Sequence, residues 1–488
     1  MKEKHTNSER ILCKDGNIAI AARPLFLNST VRDAEAWADA NLAKHALMQR
    51  AGLAIARLAM AIAPHARVIW IACGPGNNGG DGYEAAAHLK RWGKSPVVTA
   101  CGHTSSLSAD AAASRQSALD AGVTITLEVP EQYDLCIDAL FGIGKIRALG
   151  PHYTDWIKSI NSGVAPVLAV DTPSGLNAET GTCPEGSVHA DYTLSLLTLK
   201  PGLFTASGRD ACGEIWLNSL GMDASAGMCA LLNGTPQPTV RAHDTHKGSF
   251  GDVGIVGGAK GMTGAALLAG VAALRGGAGR VYLALLDTST APIDTNHPEL
   301  MFRNLDDIVF ETMVIVAGCG GGDAIAGHLE EILERSISLV LDADALNVIS
   351  RDLVLQRKLK NRSNRTTVLT PHPLEAARLM NLQSTEVQAN RLTVAQSMAD
   401  RFACTVVLKG SGTVIAAPGS IARINPTGNA RLATAGTGDV LAGLIGAHLA
   451  AGKNAFESAC ESAFRHGEVA EKWHHSFPLT AHNLAKNL

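Results

Sequence analysis

The sequence predicts an α/β protein of two domains in series, each a three-layer parallel sheet, and three observations predict it. Short apolar runs alternate with stretches of helical spacing, the alternation breaks once, around residues 224–240, and the composition is rich in glycine but poor in aromatic side chains. Glycine supplies 49 of the 488 residues and aromatic residues only 4%, so small-residue helices and tight turns that bring backbone near ligands must do the packing. Hydrophobic residues at 46% with charged ones at 18% exclude a disordered chain. The length allows about three domains at about 150 residues each, but each half runs as one wound sheet, which reduces three to two.

Residues 1–28 read as a weakly structured lead. Helical spacing starts at Val31 and continues through Leu47, Met48, Leu53 and Leu58. Strands are expected at 68–72, 96–100, 135–140, 167–170 and 192–199, with helices at 83–92 and 109–121, an order that makes a doubly wound parallel sheet. Gly, Ser, Asn, Thr and Pro then take over, including GTPQPT at 234–239. The expected boundaries are a lead at 1–28, a first domain at 29–225, a linker at 226–241 and a second domain at 242–488. The second domain offers strands at 253–256, 280–285, 313–317, 338–341, 366–369 and 405–408, and closing helices at 440–451 and 456–473.

A net charge of −3 without long runs of one sign argues against nucleic acid as a partner. The ten cysteines are scattered with no C-x-x-C pair, so neither a disulfide framework nor a zinc knuckle is expected. The polar N-terminus lacks the apolar stretch of a signal peptide, and the apolar runs fall short of the ~20 residues that span a bilayer. A cytoplasmic protein without membrane association is expected.

The first strand leads into Cys73-Gly74-Pro75-Gly76-Asn77-Asn78-Gly79-Gly80-Asp81-Gly82, which contains the dinucleotide spacing G-x-G-x-x-G. Two details oppose a standard pyrophosphate site: Asp81 puts a carboxylate where phosphate would lie, and the next strand ends without the ribose-binding acid. A classical NAD dehydrogenase is therefore the second reading of this half. Other strands end in polar clusters, Asp138 running into Phe141-Gly142-Ile143-Gly144, and Asp171-Thr172-Pro173-Ser174-Gly175. In a parallel sheet such ends converge on one crevice. Asn78, Asp138 and Ser174 supply oxygens suited to a hard cation and poorly suited to zinc. Lys200 reads as a surface lysine with its stem packed, an ammonium in the crevice being the alternative.

GNNGGDG at 76–82, DALFG at 138–142, DTPSG at 171–175 and LMQRAG at 47–52 resemble the NAD(P)H-hydrate epimerase family over residues 30–220. The resemblance implies potassium at Asn78, Asp138 and Ser174. It implies hydrate binding by Asn77, Asn78, Gly79, Gly80 and Asp81, by Gly142, Ile143, Gly144, Lys145, Ile146, Arg147 and Ala148, and by Asp171, which also stands as a catalytic residue. Lys145 departs from the small or apolar residue usual there.

The second half has no Walker A sequence. Thr434-Ala435-Gly436-Thr437-Gly438-Asp439 opens into an apolar helix, where converging N–H groups stabilise charge on a transferring phosphoryl group. Asp439 beside it suits acceptance of the proton of an attacking hydroxyl; a plain N-cap is the other reading. Lys409, Gly410, Ser411, Gly412 and Thr413 follow one strand and His372, flanked by prolines, follows another. Gly318 to Gly322 and Asp342-Ala343-Asp344 leave two more. With HKGSFG at 246–251 and Gly264-Ala265-Ala266, these segments resemble the ADP-dependent NAD(P)H-hydrate dehydratase family, on a ribokinase-like fold, over residues 242–475. That implies AMP contacts at Lys409 to Thr413 and at Gly438, hydrate contacts at Ala265, Gly320, His372 and Asp439, and Glu375 helping to place Mg2+.

The two resemblances on one chain imply epimerisation of R and S hydrates of NADH and NADPH (NADHX and NADPHX) followed by dehydration of the S form. ADP is the co-substrate, K+ the cation of the first domain and Mg2+ that of the second, in an expected homo-oligomer. The competing reading is a small-molecule kinase fused to a non-catalytic dinucleotide-binding module.

Overall fold

The computed structural model describes residues 7–12, 21–101, 107–144, 150–222, 226–237, 242–289, 293–474 and 476–488. The chain divides into two compact units, Met1–Ala230 and Leu231–Leu488.

In the first unit the strands lie, from edge to edge, in the order Glu9–Leu12, Glu214–Asn218, Tyr192–Leu196, Val167–Val170, Leu135–Ala139, Val68–Cys73, Ser95–Ala100 and Thr124–Thr126. All neighbours are parallel except the outermost pair formed by Glu9–Leu12. Val68–Cys73 has Ser95–Ala100 on one side and Leu135–Ala139 on the other, so the winding reverses between Val68–Cys73 and Leu135–Ala139. Ligands of open α/β sheets bind where the strand order reverses. The expected lead contains two strands, Glu9–Leu12 and Arg23–Phe26, and Leu25 is wholly buried beside Leu199. Its polar average conceals these two short strands.

The glycine segment after the first strand is helical rather than looped. Helix Asn77–Arg91 begins six residues before the expected start at 83. A Cβ at Gly79 would come within 2.0 Å of Gly74 O, so glycine there lets the first helical turn lie against the preceding chain.

The second sheet runs Met301–Phe302, Arg280–Leu285, Asp252–Gly257, Val314–Ala317, Ser338–Leu341, Thr366–Leu369, Thr405–Leu408, Val414–Ala416 and Arg423–Ile424. It is parallel up to Thr405–Leu408, after which Val414–Ala416 and Arg423–Ile424 turn antiparallel. Here the order reverses between Asp252–Gly257 and Val314–Ala317. Leu231 and Leu232 pair with Arg423 and Ile424, so part of the stretch expected as linker, Met228–Leu232, is a strand. Its MCALL run is too short to stand out from the Gly, Ser and Pro around it. Helices Thr263–Arg275 and Thr437–Ala450 are packed so closely that a Cβ at Gly443 would meet Ala269 O at 2.0 Å. Among the described residues no helix is long and apolar enough to cross a membrane, and the nine described cysteines are free.

Candidate active sites

In the first unit, the strand ends at the reversal point and two preceding helices enclose a cavity of about 890 Å³. Its wall includes Asn77, Asn78 and Asp81 from the helix start, Leu140 to Gly144 after Leu135–Ala139, and Asp171 after Val167–Val170. Gly79 and Gly80 are buried and outside this wall: Gly79 faces Gly74, and Gly80 faces Met48. Lys145, Ile146, Arg147 and Ala148 lie outside the described residues.

Asp138 is wholly buried. Its Oδ2 accepts from Ser174 N at 2.8 Å, and its Oδ1 from Ser174 Oγ at 2.6 Å and Leu140 N at 3.2 Å. Burial pushes its carboxyl up to about 6 against those hydrogen bonds. All of these partners are neutral, whereas buried charges are ordinarily paired or bound to metal. Asn78 adds a buried Nδ2 with no partner. With the amide turned over, an assignment open in any such side chain, an unpaired oxygen occupies that place. A Cβ at Gly142 would lie 3.0 Å from Asn78 Oδ1 and 3.2 Å from Asp171 Oδ2, so this glycine leaves open the space between the two.

Asp171 adopts φ +66°, a left-handed conformation that costs a non-glycine residue about 1 kcal/mol or more. Its Oδ1 accepts from Leu196 N at 3.1 Å and from Lys200 Nζ. Lys200 is wholly buried and also donates to Leu196 O at 2.8 Å and Ser195 Oγ at 3.2 Å. The surface reading of Lys200 is therefore overturned. The buried turn Pro201–Phe204 follows it directly, and its ammonium finds three acceptors inside. Asp81 is pushed well up by burial and then by Asp171, Glu35 and Glu84.

In the second unit, five strand ends converge. Gly258 N donates to Cys319 O at 3.0 Å, Asp342 N to Ala317 O at 3.1 Å, Thr370 N to Leu341 O at 3.0 Å and Lys409 N to Pro371 O at 2.9 Å. Gly436, at φ +89°, turns the chain into helix Thr437–Ala450 and places Asp439 in its first turn. Buried His466 fixes that start by donating from Nε2 to Thr437 O at 2.8 Å. Burial, then Asp342, pushes Asp439 up to about 7. Lys409 Nζ donates to Asp342 Oδ1 at 2.7 Å, and Thr370 Oγ1 to the same oxygen at 2.8 Å. Burial disfavours the ammonium, but Asp342 and Glu375 outweigh that and hold its pKa above the ordinary value. A Cβ at Gly438 would lie 3.2 Å from Lys409 Nζ, so glycine leaves free the space beside that cation. Gly320 and Ala265 are neighbours, a Cβ on the former meeting that of the latter at 2.9 Å.

His372 caps helix Pro373–Met380. Its Nδ1 accepts from Leu374 N at 3.1 Å and Glu375 N at 3.3 Å, while Glu375 Oε2 accepts from His372 N at 2.8 Å. Nδ1 being an acceptor, the proton of the neutral ring is on Nε2, which is 3.2 Å from Glu375 Oε1. Buried Glu375 is thus held through Oε2 by the His372 backbone, with Oε1 within ion-pair distance of the ring. Cys319, Asp342 and Asp439 bring their ligand atoms within 4.8 Å of one another. The Cys319 thiol is pushed far up by burial and then by Asp439, and thiol sulfur is a poor partner for a hard cation.

Two polar residues at these sites were not expected. Arg391, only 2% exposed, donates from Nη2 to Leu408 O, Lys409 O and Gly412 O at 3.1, 3.2 and 3.4 Å, and so holds the loop of Gly410, Ser411, Gly412 and Thr413. Glu35 is in the wall of the first cavity. Each carries a readable signal, a charge within an apolar helical stripe: Glu35 between buried Val31 and Ala38, Arg391 before buried Val394, Ala395 and Met398.

A family model described as YjeF-related protein N-terminus matches residues 44–202, and one described as NAD(P)H-hydrate dehydratase matches residues 253–488. The chain is 37% identical over 447 residues to the bifunctional NAD(P)H-hydrate repair enzyme Nnr of Escherichia coli (strain K12), covering 88% of this chain and 85% of that protein. It is 41% identical over 252 residues to the ADP-dependent (S)-NAD(P)H-hydrate dehydratase of Neisseria meningitidis serogroup B, covering 50% of this chain and 84% of the relative. A solved structure of the ADP/ATP-dependent NAD(P)H-hydrate dehydratase from Bacillus subtilis, co-crystallised with ATP/Mg2+, is 28% identical with a TM-score of 0.42 over 51% of this chain and 90% of its own.

Proposed function

The chain belongs to the family of bifunctional NAD(P)H-hydrate repair enzymes, and on that premise we propose that its two units perform the two successive steps of one repair. The first unit interconverts the R and S hydrates of NADH and NADPH. The second dehydrates the S form with ADP, giving AMP, phosphate and the restored dinucleotide. The observation that carries this reading is Asp439, held in the first turn of an apolar helix beside the Lys409–Asp342 pair.

The dehydration follows from that arrangement. The Asp439 carboxylate takes the proton of the hydrate hydroxyl as its oxygen attacks the terminal phosphorus of ADP. Charge developing on the phosphoryl oxygens meets the N–H groups at the helix start and the Lys409 ammonium next to Gly438. Phosphate is then a good leaving group: the ring nitrogen's lone pair expels it to give a C=N bond, and loss of a proton from the neighbouring ring carbon to the departing phosphate restores the ring double bond. Lys409, Gly410, Ser411, Gly412, Thr413 and Gly438 hold the nucleotide in this reading, and Ala265, Gly320 and His372 the hydrate. Mg2+ belongs with the phosphates of ADP, and Glu375, fixed beside His372, would help to place it.

In the first unit Asn77, Asn78, Asp81, Gly142, Ile143, Gly144 and Asp171 contact the hydrate. The orphaned Asn78 amide and the neutral-partnered Asp138 carboxylate support a K+ held by Asn78, Asp138 and Ser174. A K+ held there would supply the positive charge that Asp138 lacks, while Ser174 Oγ also accepts from Phe141 N at 2.9 Å and so joins the following loop to the same cluster. A cytoplasmic homo-oligomer is part of the same reading, checked by cell fractionation and by sedimentation.

The test supplies purified S and R hydrates with ADP to the full chain and follows reduced-nicotinamide absorbance. Restoration of both is expected. No restoration of S sinks the dehydratase and favours a kinase; S restored while R persists beyond its spontaneous epimerisation sinks the epimerase.

A further inference from the structure

We propose that Glu35 is a catalytic residue of the first unit, the carboxyl that exchanges a proton with the hydroxyl of the hydrate while Asp171 serves as its counterpart. The inference rests on the reading of this unit as the epimerase.

Epimerisation needs a proton donor at the carbon that changes hand. Water adds to an enamine so that the hydroxyl ends on the carbon bonded to the ring nitrogen. Inverting that carbon requires the hydroxyl to leave and return on the other face. A carboxylic acid gives its proton to the hydroxyl oxygen, the C–O bond breaks with its electron pair leaving in water, and the nitrogen lone pair forms a C=N bond. Water then adds to the opposite face of the flattened carbon, its electron pair forming the new C–O bond, the C=N pair returning to nitrogen, and its surplus proton passing to a carboxylate. One acid is spent and one base is protonated, and return of that proton from the base to the acid through water restores both for the next turnover.

The cavity wall carries the carboxyls of Glu35, Asp39, Asp81, Asp110, Asp171 and Glu185, and among them Glu35 and Asp171 stand in different surroundings, the condition under which one fold separates an acid from a base. Asp171 is already an acceptor, with Lys200 Nζ and Leu196 N on its Oδ1. Its Oδ2 lies toward the space that Gly142 leaves open. Glu35 is held differently. It projects from helix Asn28–Asn41 into the same cavity from within the buried stripe of Val31 and Ala38. Among the described residues no hydrogen bond or ion pair holds its carboxyl.

The charged groups around Glu35 are Asp171 and Lys200 from the sheet side, Asp39 and Arg32 on its own helix, and Asp81 from helix Asn77–Arg91. Enclosure first, then Asp171, raises the Glu35 carboxyl above its usual value, against Lys200 and Arg32. That keeps a larger share of it protonated, as a proton donor near neutral pH requires. The positive charge of the C=N intermediate forms beside a wall of carboxyls, the favourable sign.

The experiment uses the full chain, with S-hydrate dehydration as an internal control of folding. Glu35→Gln is expected to lower kcat for R-hydrate conversion about a hundredfold or more, with KM within about threefold and S dehydration unchanged. Glu35→Asp is expected to keep measurable conversion, with the alkaline limb of its kcat profile moved to lower pH, in the direction of the intrinsically lower pKa of Asp. Conversion by Glu35→Gln within about threefold of the parent overturns the proposal, and so does a change in KM alone. If Glu35→Gln also loses S dehydration, the Glu35→Asp profile decides, an unmoved limb overturning the proposal. A parent chain that converts no R hydrate above the spontaneous rate fails the epimerase reading instead, an outcome distinct from failure of the variant.

Discussion

Asp439, pushed up to about 7 by burial and then by Asp342, carries a pH dependence into the dehydration step. The form that accepts a proton is the carboxylate, so kcat/KM for S-hydrate dehydration is expected to fall about tenfold per pH unit below about 7 and to level above it. A profile flat down to pH 5.5 contradicts the assignment. Asp439→Asn keeps the shape but removes the acceptor, and dehydration should drop about a hundredfold or more while epimerisation persists. Loss of both activities would mean that the units do not work independently. Asp138→Ala is expected to remove both the K+ dependence and the epimerase activity, leaving S dehydration intact; unchanged epimerisation defeats the cation site. Asp439 and Asp138 were legible because each ends a strand or begins a helix inside a polar cluster. Lys200 was not, because an isolated lysine after an apolar strand reads the same whether the next turn folds over it or away.

At the scale of elements, the loop of Lys409 to Thr413 owes its shape to a helix that precedes it in the chain. Arg391 reaches two of its carbonyls and that of Leu408 just before it, and burial lowers the guanidinium to about 10 without removing its charge near neutral pH. Replacing it by methionine leaves those carbonyls without their charged donor, at about 1.5 kcal/mol or more. If this cost falls on the nucleotide complex, KM for ADP rises about tenfold, with a smaller change in Arg391→Lys and none in epimerisation. An unchanged KM would show that the loop keeps its shape unaided. The glycine segments show the reverse side of element-level reading. Their glycines were expected to present backbone to ligand, yet Gly79 is fixed by chain passing within 2.0 Å of where a Cβ would stand, as is Gly443 inside helix Thr437–Ala450, for which no such expectation was drawn. Spacing reveals that a residue must be small, not which neighbour demands it. Gly443→Ala is accordingly expected to destabilise the second unit by about 1–3 kcal/mol, seen as a lower Tm.

For the whole molecule, the division at Ala230 and Leu231 assigns each site to a single unit. Asp138→Ala protein mixed with Asp439→Asn protein should therefore restore R hydrate, one supplying dehydration and the other epimerisation. Failure of the mixture, with each variant keeping its remaining activity, would require substrate to stay on one chain. The sequence by itself determined the α/β class, the two wound sheets and the strand-end clusters that make the sites, because helical and strand periodicities and turn residues are local properties of the chain. Only the tertiary structure decided that Lys200 is a buried partner of Asp171, that Glu375 serves His372, and that Glu35 and Arg391 face inward. A charged side chain is buried or solvated according to what distant segments bring to it, and no local pattern carries that information.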